Sequence, residues 1–282
     1  MDHSFRVCVA LTTELVKDIS HRQQALPLAQ VALARLVTGA VLLAGRLKEC
    51  QGLGVLVEGD GVLGPMYAES FFDGAVRGYV SNPEAYLEEG VSVEKIGAAV
   101  GKGTLQVMHH LPHQKAPHRA SVELATGEIG DDVAYFLQQS YQIPSVVALG
   151  CVMNENVELT KAGGFLVELM PEAPQEVIPK LESIAAALSM RALLEKAQQA
   201  EDLLEPLREQ FSLIELPHDI TYHHQCKCSQ ERVERSISLM SEKDIHELMA
   251  MNQELETTCE FCRTHYRVSQ ATLQKILSGK HS

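Results

Sequence analysis

The sequence predicts an α+β fold: a mixed sheet-and-helix domain over residues 1–174, a helical linker over 175–218 and a small cysteine-bearing domain over 219–282. Three observations carry this reading. Strand-like segments dominate the first part of the chain, and its helices are too few for a regular strand–helix alternation. From Glu176 to Phe211 the pattern becomes helical, and beyond Pro217 come four of the seven cysteines.

Taken in order, residues 5–12 (Phe-Arg-Val-Cys-Val-Ala-Leu-Thr) read as a strand. Over 27–47 Leu28, Val31, Ala32, Leu36, Ala40, Leu43 and Leu47 recur at helical spacing. That helix is apolar on more than one face and belongs inside the domain. Residues 53–58 form the next strand, and Gly59-Asp60-Gly61 offers the positive φ of a tight turn. Strands follow at 66–72, 75–80, 104–109, 119–125 and 146–153, with a last one at 165–170 after a turn at Ala162-Gly163-Gly164. Between them 131–141 is a helix, with Asp131 and Asp132 placed to favour its dipole. Pro171 and Pro174 punctuate the end of this domain. The 176–211 stretch puts Val177, Leu181, Ile184 and Leu188 on one stripe and breaks at Pro206. It is too thin to make a core alone and must pack on something.

Composition narrows the function. With 45% apolar and 22% charged residues the chain is globular rather than disordered. Only 5% of residues are aromatic, none of them Trp, so a stacking surface for single-stranded nucleic acid is poorly supplied. A net charge of −13 argues against a general polyanion binder. No segment offers the roughly 18 uninterrupted apolar residues of a membrane span, and residues 1–9 lack the features of a secretory signal. The expectation is a cytoplasmic protein with no membrane partner. In that compartment seven cysteines point to metal binding, redox chemistry or burial rather than to a disulfide framework.

The informative text is Cys226-Lys-Cys228, thirty residues, then Cys259-Glu-Phe-Cys262. Two close thiol pairs separated by such a loop can converge on one tetrahedral Zn²⁺, which prefers soft thiolate ligands. Cys226, Cys228, Cys259 and Cys262 are therefore the candidate metal ligands, one zinc per chain. His223, His224 and His265 flank them, but four thiols already fill the shell. Ser229, Ser241 and Ser269 are placed to cap helices running to about 239, 251 and 279. So short a domain with a sparse apolar set has little core of its own. Metal binding contributes about 10–16 kcal/mol in small zinc peptides, against a typical total stability of about 5–15 kcal/mol. Zinc then decides whether this domain is folded. Oxidants attack thiolates; a sensor needs its cluster reachable and a purely structural site needs it shielded, and the sequence is compatible with both.

Other candidates have plainer readings. Cys8 and Cys151 sit in apolar strand contexts and read as small buried hydrophobes; Cys50 stands at a helix end with nothing nearby to make it a nucleophile. His109, His110, His113 and His118 read as a surface hairpin loop rather than a second metal site. The glycines between Gly52 and Gly64 lack a phosphate-loop ending. Asp131 and Asp132 are better read as helix N-terminal residues than as an acid/base pair. No catalytic residue is assigned, and the chain is expected not to be an enzyme.

At the cysteines the chain resembles the redox-regulated 33 kDa heat-shock chaperone family (HslO family of chaperonins), over nearly its whole length. The resemblance rests on Cys226-Lys-Cys-Ser-Gln-Glu-Arg232, on Cys259-Glu-Phe-Cys262 followed by Tyr266, on Gly127-Glu-Ile-Gly-Asp-Asp132 leading to Ser140-Tyr-Gln-Ile-Pro-Ser145, and on Ala162-Gly-Gly-Phe-Leu-Val-Glu-Leu-Met-Pro171. It implies a holdase that is inactive when reduced and zinc-bound. It also implies activation through the disulfides Cys226–Cys228 and Cys259–Cys262, with zinc release and destabilisation of the 175–218 linker. Unfolding clients would be the partners, and the oxidised form a homodimer. Cys8, Cys50 and Cys151 match no ligand position of the family. The competing readings are a constitutive zinc module for protein or nucleic acid, and a thiol–disulfide oxidoreductase using Cys259 and Cys262. From Tyr222 onward eight Lys/Arg balance eight Asp/Glu, which disfavours nucleic acid. The oxidoreductase reading lacks the βαβ setting that its motif normally occupies.

Overall fold

The apolar helix near the start of the chain organises everything around it. In the computed structural model the described residues are 4–86, 95–114, 116–171, 173–214, 216, 220–251 and 253–279. They form two compact units, Met1–Gln225 and Cys226–Ser282. Pro217, which the sequence marks as a boundary, lies outside the described residues.

In the first unit the elements run β1 (Phe5–Leu11), α1 (Thr13–Gln23), α2 (Pro27–Ala44), β2 (Gly52–Gly59), β3 (Met66–Phe71), β4 (Ala75–Val80), α3 (Gly97–Val100), β5 (Gly103–His110) and β6 (His118–Glu123). They continue with α4 (Ile129–Tyr141), β7 (Ser145–Met153), β8 (Leu159–Leu169), α5 (Val177–Ala187), α6 (Met190–Lys196), a 3₁₀ turn (Ala200–Leu204), α7 (Glu205–Arg208) and β9 (His223–His224). One sheet has the order β6-β5-β2-β3-β4-β9 and the other β1-β8-β7. Helix α2 packs against strands of both sheets, and this is why its sequence is apolar all round. By length and composition it could cross a membrane, yet most of it is buried inside the fold. Pro27 opens it at a position where no N–H bond is lost.

Helices α5 to α7 close the opposite face of the β1-β8-β7 sheet. Val177, Leu181, Ile184, Leu194, Leu203 and Leu207 join Ala148, Val152, Phe165 and Val167 in a second core. Phe5 and Phe211 meet edge to face at 4.9 Å. The packing partner that the 176–211 stripe requires is thus this sheet. Breaks fall at Leu188–Ser189 and at 197–199 rather than at Pro206, which sits at the start of α7.

The structure corrects several local expectations. Ala162, Gly163 and Gly164 are not a turn; they lie inside the long strand β8. Their small size answers crowding between strands, since a Cβ on Gly164 would stand 2.3 Å from the Ala148 carbonyl oxygen. Gly59 and Gly61 do not take positive φ. A Cβ on either would strike the Val100 or Ala99 carbonyl, at 1.9 and 2.2 Å. His109 and His110 end β5 rather than sitting in the hairpin loop, and His118 opposite His109 begins β6. Helix α1 was not foreseen, because its buried stripe of Leu15, Val16, Ile19, Ser20 and Gln23 is only half apolar.

The second unit contains α8 (Gln230–Ser238), α9 (Glu242–Ala250), a hairpin of β10 (Leu255–Thr258) and β11 (His265–Val268), and α10 (Gln270–Gly279). Ser229, Ser241 and Ser269 each accept the backbone N–H three residues on, as the capping pattern anticipates. Its buried apolar residues among those described are Ile237, Ile245, Val268, Leu273 and Leu277.

Gly164→Ala is expected to destabilise the first unit by about 1–3 kcal/mol through forced separation of β7 and β8. Gly279→Ala, where a Cβ meets nothing within 4 Å, is expected to leave stability unchanged or slightly raised; urea midpoints compare the two. A pH dependence also follows. Burial, with Arg46, His110 and His118 nearby, holds His109 below its ordinary 6.5. The unfolded chain therefore takes up this proton first as pH falls, and stability present above about pH 6.5 is lost on acidification. Thermal melts between pH 7.5 and 5 should show a smaller loss in His109→Gln.

Candidate metal centre

Two local structures present the four thiols. Cys226 and Cys228 lie in the extended segment leading to the Ser229 cap of α8, and Arg232 Nη1 donates to the Lys227 carbonyl at 2.6 Å. Cys259 and Cys262 occupy the turn of the β10–β11 hairpin. There the Cys259 N–H donates to the Thr264 carbonyl (3.0 Å) and the Arg263 N–H to the Cys259 carbonyl (2.9 Å), with Arg263 at φ 56°. Gln230 Nε2 ties α8 to β11 by donating to the Arg267 carbonyl at 2.9 Å.

The outcome is a cluster in which the four Sγ atoms of Cys226, Cys228, Cys259 and Cys262 all lie within 4.8 Å of one another. Cys226 and Cys259 approach to 3.6 Å, and Cys228 and Cys262 to 3.3 Å. Four sulfurs about 2.3 Å from one tetrahedral Zn²⁺ stand about 3.8 Å apart, so the donor set fits such an ion in both spacing and chemistry. Each thiol is half-buried, and none is in a disulfide. No histidine joins the cluster among the described residues. His223 and His224 form β9 on the edge of β4, and the His265 ring bonds Thr258 Oγ1 at 2.9 Å.

Burial pushes the thiols of Cys226, Cys228 and Cys259 up. Burial acts on Cys262 in the same sense, but it is outweighed by bonds from Thr264 and from the Cys228 and Cys259 thiols, which bring Cys262 down to about 6. Cys262 is thus the thiol of the four most readily ionised. Tyr266, on β11, was not given a role by residue pattern alone. Its hydroxyl donates to Cys228 Sγ at 2.9 Å, and that bond pushes the phenol up to about 12. The signal is positional: four residues past Cys262, the returning strand turns this side chain back over the sulfurs.

The remaining candidates fall outside the cluster. Cys8 lies on β1 with its thiol pushed up by burial, Cys151 is half-buried on β7 and Cys50 is exposed. Asp132 is buried and accepts the Ala125 and Thr126 amides at 2.7 and 3.0 Å, so it fixes the loop before α4.

The chain is thus an α+β unit of two sheets packed on apolar helices, followed in sequence by a small module that gathers four thiols. The family model described as Hsp33 protein matches residues 1–269, and the chain belongs to the Hsp33 family, a family of chaperones. A 33 kDa chaperonin of Desulfotalea psychrophila is 35% identical over 271 residues, covering 94% of this chain and 90% of its relative. One from Listeria monocytogenes is 32% identical, covering 98% and 95%. The crystal structure of a 33 kDa chaperonin (heat shock protein 33 homolog) from Thermotoga maritima superimposes with a TM-score of 0.86 at 28% identity, covering 100% of this chain and 96% of that one.

Proposed function

We propose that this chaperone is an ATP-independent holdase governed by the oxidation state of its cysteine cluster. Reduced Cys226, Cys228, Cys259 and Cys262 would hold one Zn²⁺ per chain, which orders the segment 219–282 and keeps the protein inactive. The observation that carries this reading is the convergence of four sulfurs in a unit whose own apolar core is five side chains. Each pair of metal-ligand thiolates would give up two electrons to one peroxide, which takes two protons from solvent and leaves as two waters, and the products are Cys226–Cys228 and Cys259–Cys262. Closing sequence-near pairs costs little loop entropy. The sulfurs cease to be thiolates, the metal is lost and the small unit loses its main source of stability.

The linker, 175–218, is proposed to follow. Its stripe of Val177, Leu181 and Ile184 shares a core with Ala148, Val152, Phe165 and Val167, so its release would uncover apolar surface on the 1–174 domain for thermally unfolding or oxidatively damaged clients. The protein is proposed to act in the cytoplasm, without substrate turnover, and to pair as a homodimer when oxidised.

Peroxide at mild heat, with zinc, free thiols and far-UV circular dichroism followed together, tests this directly. One zinc released per four thiols consumed, with helix signal lost and aggregation of a heat-unfolding client suppressed, is the expected result. Zinc retained through oxidation, or equal suppression by the reduced form, rejects the switch; peptide mapping that finds Cys226–Cys259 and Cys228–Cys262 rejects the pairing. Tyr266→Phe keeps all four sulfurs but removes the donor to Cys228, and its zinc affinity against a chromophoric chelator is expected to fall about 10–100-fold.

A further inference from the structure

The chain returns to the edge of the six-stranded sheet just before the first cysteine of the cluster. Residues 220–225 alternate: Ile220, Tyr222 and His224 are half-buried, while Thr221, His223 and Gln225 are exposed. This period of two is that of a strand with one face turned inward. Strand β9 runs parallel to β4, with His223 opposite Ala75 and His224 opposite Val76. The His223 N–H donates to the Gly74 carbonyl and the Gln225 N–H to the Val76 carbonyl, both at 3.0 Å. Gly74, at φ +82°, permits the approach: a Cβ there would stand 2.5 Å from the Thr221 carbonyl oxygen and 2.9 Å from Ile220 Cγ2.

A side chain adds to the backbone pairing. Tyr222 packs against the core around α2, and burial pushes its phenol up, with the Cys8 thiol adding to the effect. Helix α1 lies against β9 as well. The segment between Met170 and Ile220 is therefore held at both ends, by its continuity with β8 and by this short strand. Detached helices in such a closed loop stay near their docking face at high effective concentration and return to it. The far end must open before they can leave. Gln225 is followed at once by Cys226, so the strand that holds the far end and the first candidate metal ligand are consecutive in the chain.

We propose that residues 220–225 form a clasp, strand β9 with its Tyr222 anchor, that holds α5 to α7 on the β1-β8-β7 sheet and opens when Cys226 leaves the cluster. Anchored by a metal, Cys226 fixes the downstream end of the strand; set free, it leaves that end to fray. The trigger rests on the redox reading above, whereas the clasp itself does not.

The test is hydrogen exchange at residue-level resolution on the full chain. In the reduced, zinc-loaded state Tyr222→Ala removes the anchor and His223→Pro removes one of the two hydrogen bonds, with every sulfur left in place. Both are expected to raise exchange across α5 to α7 about tenfold or more, while α2 stays protected and zinc is retained. Ile214→Ala, at an exposed position of the same segment, should change nothing. Exchange in α5 to α7 that matches the parent chain overturns the clasp, and so does exchange that rises only where zinc has been lost. Should either variant fail to fold, the unaltered chain decides. On peroxide treatment the His223 and Gln225 amides must lose protection no later than those of α5 to α7, and helices that exchange first overturn the proposal. Failure of the redox reading looks different: peroxide then leaves zinc and both amides in place, yet the two variants open in the reduced state. Open variants that do not suppress aggregation of a heat-unfolding client overturn the masking of client surface alone and leave the clasp standing.

Discussion

Four sulfurs drawn together within 4.8 Å of one another join the segment before α8 to the β10–β11 hairpin. Among the described residues the buried apolar side chains of the second unit are Ile237, Ile245, Val268, Leu273 and Leu277, a small core for three helices and a hairpin. The hairpin turn and the α8 cap bring the thiols together, but burial alone works against their ionisation. The hydrogen bonds from Tyr266 and around Cys262 act in the opposite sense. Four half-buried sulfurs at this spacing suit a divalent soft cation.

The first unit is built on a different principle. Helix α2 fills the space between two sheets, and its near-complete burial makes that core independent of any metal. The face covered by α5 to α7 is less committed. Those helices are short, are broken twice and carry exposed residues between the buried ones, so each contributes a modest apolar area to the sheet. The cover is thus made of several short pieces, each contributing separately to the second core.

Much of this was legible in the sequence because it rests on local rules. Most strands of the first unit, the helical stripe of α2 and the three serine caps depend on neighbours within a turn or two, and they appear close to where the residues indicate. The cysteine spacing indicated which thiols meet. What the sequence did not yield depends on contacts across the fold. Gly163 and Gly164 look like a turn, yet they are glycines because the Ala10 and Ala148 carbonyls press on them from neighbouring strands. Helix α1 hides because Ser20 and Gln23 are buried among its apolar residues. Tyr266 gains its role only when the hairpin folds back over the sulfurs.

The register of β1 against β8 carries one more implication, for synthesis. Phe5 pairs with Leu169 and Leu11 with Gly163, so the first strand has no ladder partner until well over half of the 282 residues have been made. At ordinary elongation rates of about 5–20 residues per second that wait lasts roughly 8–35 s. Throughout it the nascent Phe-Arg-Val-Cys-Val-Ala-Leu strand has both edges unpaired. This member of a chaperone family thus passes, during its own birth on the ribosome, through a stage in which an apolar strand is left open to wrong pairing.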